Sequence, residues 1–186
     1  MRNNNTIYLD IKIDCLGNII AEGEMDNGVT IRVLAGADLD ATAAVHQAAF
    51  VRQQCSKEWL HCNFNAFPRS QLFVAENVKN EITGYILWCQ KAGFRSEVVL
   101  ELEQLAVHPA HQGQGIGTRL ILESLPLVQR QLQSRGATVK HIMVTTRADN
   151  AAQRLYRKTL NAEVEATVCN LYSADEVVMI SRNIAL

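Results

Sequence analysis

The chain of 186 residues predicts a single mixed α/β domain. Three observations carry that expectation. β-branched, alternating runs begin at Val29 and recur through the first half. From Val98 onward the order becomes strand, glycine-rich loop, helix, strand, helix. The 48% hydrophobic content is enough for one buried core in a chain that is short for two.

Residues 6–14 alternate apolar and polar side chains, and Gly17-Asn18 turns the chain into residues 19–22, which reads as a β-hairpin appended to the main fold. Residues 1–28 are therefore set apart as an N-terminal extension and 29–186 as the principal domain. Val29 to Leu34 reads as its first strand. Asp38 is placed to cap a helix carrying Leu39, Ala43, Val45 and Phe50, and a second helix spans Ser56 to Phe64 before Pro68. Gln71–Glu76 and Ile82–Trp88 form an antiparallel hairpin across a polar turn, and Val98–Val107 is the next strand. A helix over residues 115–133, a strand at Val139–Thr145, a helix at Asn150–Leu160 and strands at residues 164–171 and 177–181 complete the order. Pro126 should kink or divide the long helix.

Eighteen basic and nineteen acidic residues leave a net charge of −1, which argues against a nucleic-acid partner. Five cysteines, none in a CxxC pair, suggest neither a disulfide framework nor a metal site, and fit a reducing cytoplasm. No apolar run reaches the roughly 18 to 20 residues that span a bilayer, so no membrane association is expected. The hairpin and the last strand, Val177 to Ser181, offer edges through which a homodimer could pair.

The informative segment is Leu105-Ala106-Val107-His108-Pro109-Ala110-His111-Gln112-Gly113-Gln114-Gly115-Ile116-Gly117-Thr118, where a strand enters a helix through a glycine-rich turn. Free N–H groups and the positive end of a helix dipole make such a turn an anion site, and a pyrophosphate fits it. No Lys-Ser/Thr pair follows the last glycine, which excludes a P-loop, and Gly113-x-Gly115-x-Gly117 lacks the dinucleotide-binding offset. Gln112-x-x-Gly115-x-Gly117 closely resembles the coenzyme A loop of the GNAT acyltransferases. Downstream, Asn150-Ala151-Ala152-Gln153-Arg154-Leu155-Tyr156 resembles the second motif of that family, with Asp149 standing where Asn is usual.

The resemblance implies the GNAT fold, a mixed central sheet with two splayed parallel strands, flanked by helices. It implies acetyl-CoA as acyl donor, without a metal, and a primary amine of a small molecule or protein as acceptor. Leu105, Ala106 and Val107 would bond the thioester and pantetheine through their backbone. Gln112, Gly113, Gln114, Gly115, Ile116, Gly117 and Thr118 would hold the pyrophosphate, with Asp149 and Asn150 adding contacts. Tyr156 corresponds to the tyrosine that protonates the leaving thiolate. Glu101 and Glu103, two apart on one strand and about 6.6 Å apart at about 3.3 Å per residue, share a face and are the candidate bases. Two other readings stay open: a CoA-binding sensor without turnover, and a toxin-like acetyltransferase acting on aminoacyl-tRNA. Eight of the eleven aromatics fall between Phe50 and Phe94 and are read mainly as core.

Overall fold

The computed structural model describes residues 28–182 and Ile184, together with the backbone of Ile11–Ile13 and Ile19–Ala21. Those two segments, β1 and β2, pair antiparallel, Ile11 opposite Ala21, as the expected hairpin requires. The remainder of that hairpin lies outside the described residues. Seven further strands follow: β3 (Thr30–Val33), β4 (Ser70–Glu76), β5 (Ile82–Gln90), β6 (Glu97–Val107), β7 (Thr138–Arg147), β8 (Glu163–Val168) and β9 (Glu176–Ser181). They make one sheet in the order β3-β4-β5-β6-β7-β9-β8, antiparallel throughout except for the parallel pair β6–β7.

Helices cover the two faces unequally. α3 (Ile116–Gln133) and α4 (Gln153–Leu160) pack on one face through Ile116, Leu120, Ile121, Val128, Leu132 and Tyr156 against Trp88, Leu100, Leu102, Ile142 and Val144. Trp88 donates its indole N–H to Ser124 Oγ at 2.8 Å, which fixes α3 over β5. α1 (Leu39–Ala49) and α2 (Ser56–Asn65) pack on the other face, where Leu39, Val45 and Leu60 meet Leu72, Val74, Tyr85 and Leu87. They lie over β4, β5 and β6, so among the described residues no helix packs on the opposite half of that face.

Four expectations change. The Asp38 carboxylate does not cap α1; it accepts from Ala35 N at 2.7 Å and forms an ion pair with Arg32, also at 2.7 Å, because that guanidinium lies beside it and already holds Glu76. Pro126 leaves α3 undivided. α4 begins at Gln153 because Asn150 shapes the preceding turn, accepting from Ala152 N at 2.9 Å. The last strand is no edge: β9 returns between β7 and β8, so the edge belongs to β8. At the end of α4, Asn161 takes the left-handed conformation expected of it, with φ 51°.

Candidate active site

β6 and β7 pair in parallel from Glu97 opposite Thr138 to Glu101 opposite Met143, and no further. Both strands continue, β6 to Val107 and β7 to Arg147, so they diverge into a wedge. On its other side β6 stays paired with β5, but the register slips: Leu87 faces Gln104 while Trp88 faces Leu102, which leaves Glu103 as a bulge. The bulge resets the alternation of side chains. Leu100 and Leu102 point to the α3 face before it, and Leu105 and Val107 do so after it.

Backbone direction in the wedge follows from one bond. His108 N donates to Thr83 O on the β5 side at 2.8 Å. In an antiparallel ladder alternate residues bond the same neighbour. Ala106 therefore bonds β5, whereas Leu105 and Val107 turn their N–H and C=O groups toward the wedge. Of the three residues expected to meet a thioester through the backbone, Ala106 is turned away, and Leu105 N–H is the donor best placed. Val107 O already accepts from Gln112 Nε2 at 3.0 Å, which latches the loop onto the strand end.

The glycine loop opens α3. Pro109–His111 form a single 3-10 turn, and Gly113 and Gly115 then take φ of 77° and 78°, a region other residues enter at a cost of about 1 to 2 kcal/mol. The first internal bond of the helix runs from Arg119 N to Gly115 O at 3.1 Å. Among the described residues, the N–H groups of Gly113, Gly115, Ile116, Gly117 and Thr118 have no backbone acceptor. They form a row of donors at the positive end of an 18-residue helix. A Cβ on Gly117 would stand 3.4 Å from Leu155 Cδ2 and 3.8 Å from Leu105 Cδ2, so loop, wedge and α4 meet at this residue.

Glu101 and Glu103 come together on the α1/α2 side. Glu101 is 7% exposed and paired with Lys91 Nζ at 2.7 Å. Glu103 is solvent-accessible at its bulge, yet its carboxyl is held above the ordinary carboxylate range, first by desolvation and then by the charge and hydrogen bond of Glu101. Among the described residues Glu103 makes no ion pair. Tyr156 is buried on the opposite side of the sheet, and desolvation raises its phenol to about 12. Its hydroxyl meets no hydrogen-bond partner among the described residues, so it is a protonated and uncommitted donor. Asp149 is engaged with Arg147 through bonds of 2.9 and 2.8 Å, and Asn150 Nδ2 donates to Thr146 Oγ1 at 2.9 Å.

Sequence reasoning missed Gln104. Its Oε1 accepts from Tyr85 OH at 2.7 Å and from Trp59 Nε1 at 2.9 Å. An indole N–H can only donate, so this oxygen is fixed as the acceptor and Nε2 must donate. It lies 3.3 Å from Gln53 Oε1 and 3.5 Å from His46 Nε2. His46 therefore accepts at Nε2 and carries its proton on Nδ1, which lies 2.8 Å from Ser56 Oγ. Burial lowers the His46 pKa and favours the neutral ring this pattern needs. The available signal was that Gln104 breaks the alternation of Glu101, Leu102 and Glu103 with a second consecutive polar residue, but only the bulge turns it onto this face.

A parallel pair that opens beside a helix start lined with N–H groups has the shape and polarity that an extended chain ending in phosphate would require. The family model for the acetyltransferase (GNAT) domain matches residues 68–159. The chain belongs to the GNAT superfamily. Curated proteins yield no sequence match. Solved structures share the fold. The ribosomal-protein-S18-alanine N-acetyltransferase of Escherichia coli is 23% identical with TM-score 0.65, covering 84% of this chain and 96% of its own. The yncA protein of Salmonella typhimurium, solved with its cofactor acetyl-CoA, is 22% identical with TM-score 0.64, over 84% and 94%. A spermidine N-acetyltransferase chimera of Vibrio cholerae SpeG and hSSAT is 17% identical with TM-score 0.65, over 83% and 95%. Among the described residues, no helix is long and apolar enough to cross a membrane.

Proposed function

We propose that this chain transfers the acetyl group of acetyl-CoA to a primary amine, with residues 29–186 as the catalytic unit. The observation that carries the reading is the coincidence of three features at one point of β6: the wedge, the Glu103 bulge and the donor row at the start of α3. Pantetheine would run along the wedge and restore the ladder bonds β6 lacks there. Its pyrophosphate would rest on the N–H groups of Gly113 to Thr118, with Gln112 holding the loop and Asp149 and Asn150 bordering the second motif.

The steps follow from the groups present. Glu103, its carboxyl raised above the ordinary range by desolvation and by Glu101, takes a proton from the ammonium. The freed nitrogen attacks the thioester carbon, and Leu105 N–H donates to the oxygen as charge develops on it. Collapse breaks the C–S bond, Tyr156 gives its proton to the departing sulfur, the second proton shed by the nitrogen restores the phenol, and Glu103 releases to solvent the proton it took. The products are the amide and free CoA.

The test is a melting-temperature series with acetyl-CoA, CoA, ATP and NAD, followed by thiol release with an amine panel. A shift confined to the CoA species with thiol release supports the reading. No shift with either at millimolar concentration refutes it. A shift that persists without turnover of any amine, and that Tyr156→Phe leaves intact, would favour a CoA-binding module.

A further inference from the structure

We infer that the acceptor is a small primary amine bearing one positive charge on an apolar body, held on the helix-free half of the sheet beside Glu103. This rests on the proposed acetyl transfer at the same site and names its substrate class.

Partners in a ladder share a face. Met143 faces Ile180, Thr145 faces Val178, and Arg147 faces Glu176, while Glu101 faces Met143 across the parallel pair. The surface next to the two glutamates is therefore floored by Met143, Thr145, Val178 and Ile180, all half-buried, with no helix of the described residues packed on them. On the other side stands Trp59, 39% exposed, its N–H consumed by Gln104, so that it offers ring surface rather than a donor. An apolar body has contacts on both sides.

Charge sets the number of amines. Glu101 is neutralised by Lys91, and Arg147 by Asp149. Arg69 lies near Glu103 without pairing to it, and Arg52 lies near Asp149. Glu176 sits 6% exposed beneath Arg147. The four carboxylates around the trough, Glu101, Glu103, Asp149 and Glu176, are balanced by Lys91, Arg69, Arg147 and Arg52. A polycation finds no acidic cleft here: of the two carboxylates without an ion pair among the described residues, Glu176 is buried under Arg147, and the exposed Glu103 serves one ammonium.

The length of the acceptor is limited as well. Arg52 Nη1 donates to Ser173 Oγ at 3.2 Å, joining the α1–α2 loop to the β8–β9 loop and closing the trough at its outer end. An extended peptide would have to break that bridge.

The experiment measures thiol release from acetyl-CoA with phenethylamine and hexylamine against spermidine, tobramycin and a peptide with a free N-terminus. The apolar monoamines should exceed the others at least tenfold in kcat/KM. Val178→Asn and Met143→Gln should raise KM for hexylamine about fivefold or more while leaving the acetyl-CoA melting shift in place. Arg52→Ala should admit the peptide. Preference for spermidine, tobramycin or the peptide in the unaltered chain overturns the inference, as does an unchanged KM in both floor variants. Both outcomes would leave acetyl-CoA binding and amine acetylation standing. Loss of the acetyl-CoA shift in the unaltered chain would instead refute the proposed function.

Discussion

Replacing Gln104 with Leu keeps the size of the side chain and removes one acceptor on which two donors converge. Tyr85 is fully buried, so its hydroxyl is left without a partner and without water. An unsatisfied buried donor costs about 1 to 3 kcal/mol. Trp59 is 39% exposed and can turn its N–H to solvent, so it adds little. His46 loses only the long contact of 3.5 Å. The sum stays at about 1 to 3 kcal/mol. At about 2 to 4 °C per kcal/mol for a chain of this length, the melting temperature should fall by about 2 to 12 °C. The decisive measurement is a double-mutant cycle with Tyr85→Phe, followed by urea unfolding. Removing both partners should cost at least about 1 kcal/mol less than the sum of the single changes. Additive losses, or a Gln104→Leu protein within about 0.5 kcal/mol of the parent, would show that the network has been misassigned.

Glu103→Gln should reduce kcat by about 10²- to 10⁴-fold while the acetyl-CoA melting shift survives. Because the Glu103 pKa is raised and a base must be deprotonated, kcat/KM should climb with pH through a value above the usual carboxylate range; Glu101→Gln removes the like charge and should move that limb to lower pH. The stability sign is opposite: a raised carboxyl favours folding while protonated, so its contribution is lost as pH rises through the same window. Tyr156→Phe should lower kcat yet change stability by less than about 1 kcal/mol, since the hydroxyl has no partner among the described residues to lose; a large stability loss in calorimetry would contradict this. Gly115→Ala, at φ 78°, should cost about 1 to 2 kcal/mol and shrink the acetyl-CoA shift, both read in one thermal titration.

Local signals were legible where they are local in origin. The strands after Val29, the loop from Gln112 to Gly117 and the left-handed Asn161 depend on alternation, glycine chemistry and helix-ending rules that a few neighbouring residues express. What stayed hidden depends on register between distant segments. Glu101 and Glu103 read as neighbours on a regular strand, but nothing near them announces that Leu87 and Trp88 skip a partner opposite. Without that skip Gln104 would side with Leu102. The place of β9 was equally silent, because Val177 to Ser181 alternates much as an edge strand does and only pairing with both β7 and β8 removes its edge. Asp38 is a preferred helix-capping residue whose carboxylate was claimed by Arg32, a competition that becomes visible once β3 and β4 lie side by side.

The divergence of β6 from β7 gives the sheet an edge in its own interior. Outer edges of a sheet recruit stray strands, which is why they are commonly short, charged or covered. This one needs no such protection. It is flanked on both sides by strands of the same molecule and narrows to closure at Glu101 and Met143, so another protein's strand, with side chains alternating to both faces, has no lateral approach. A slender chain with amides and no side branches can still enter end-on. In the proposed reaction the opening would therefore filter by cross-section before any side chain acts, and the residues around it would be left to choose among acceptors rather than to guard against aggregation.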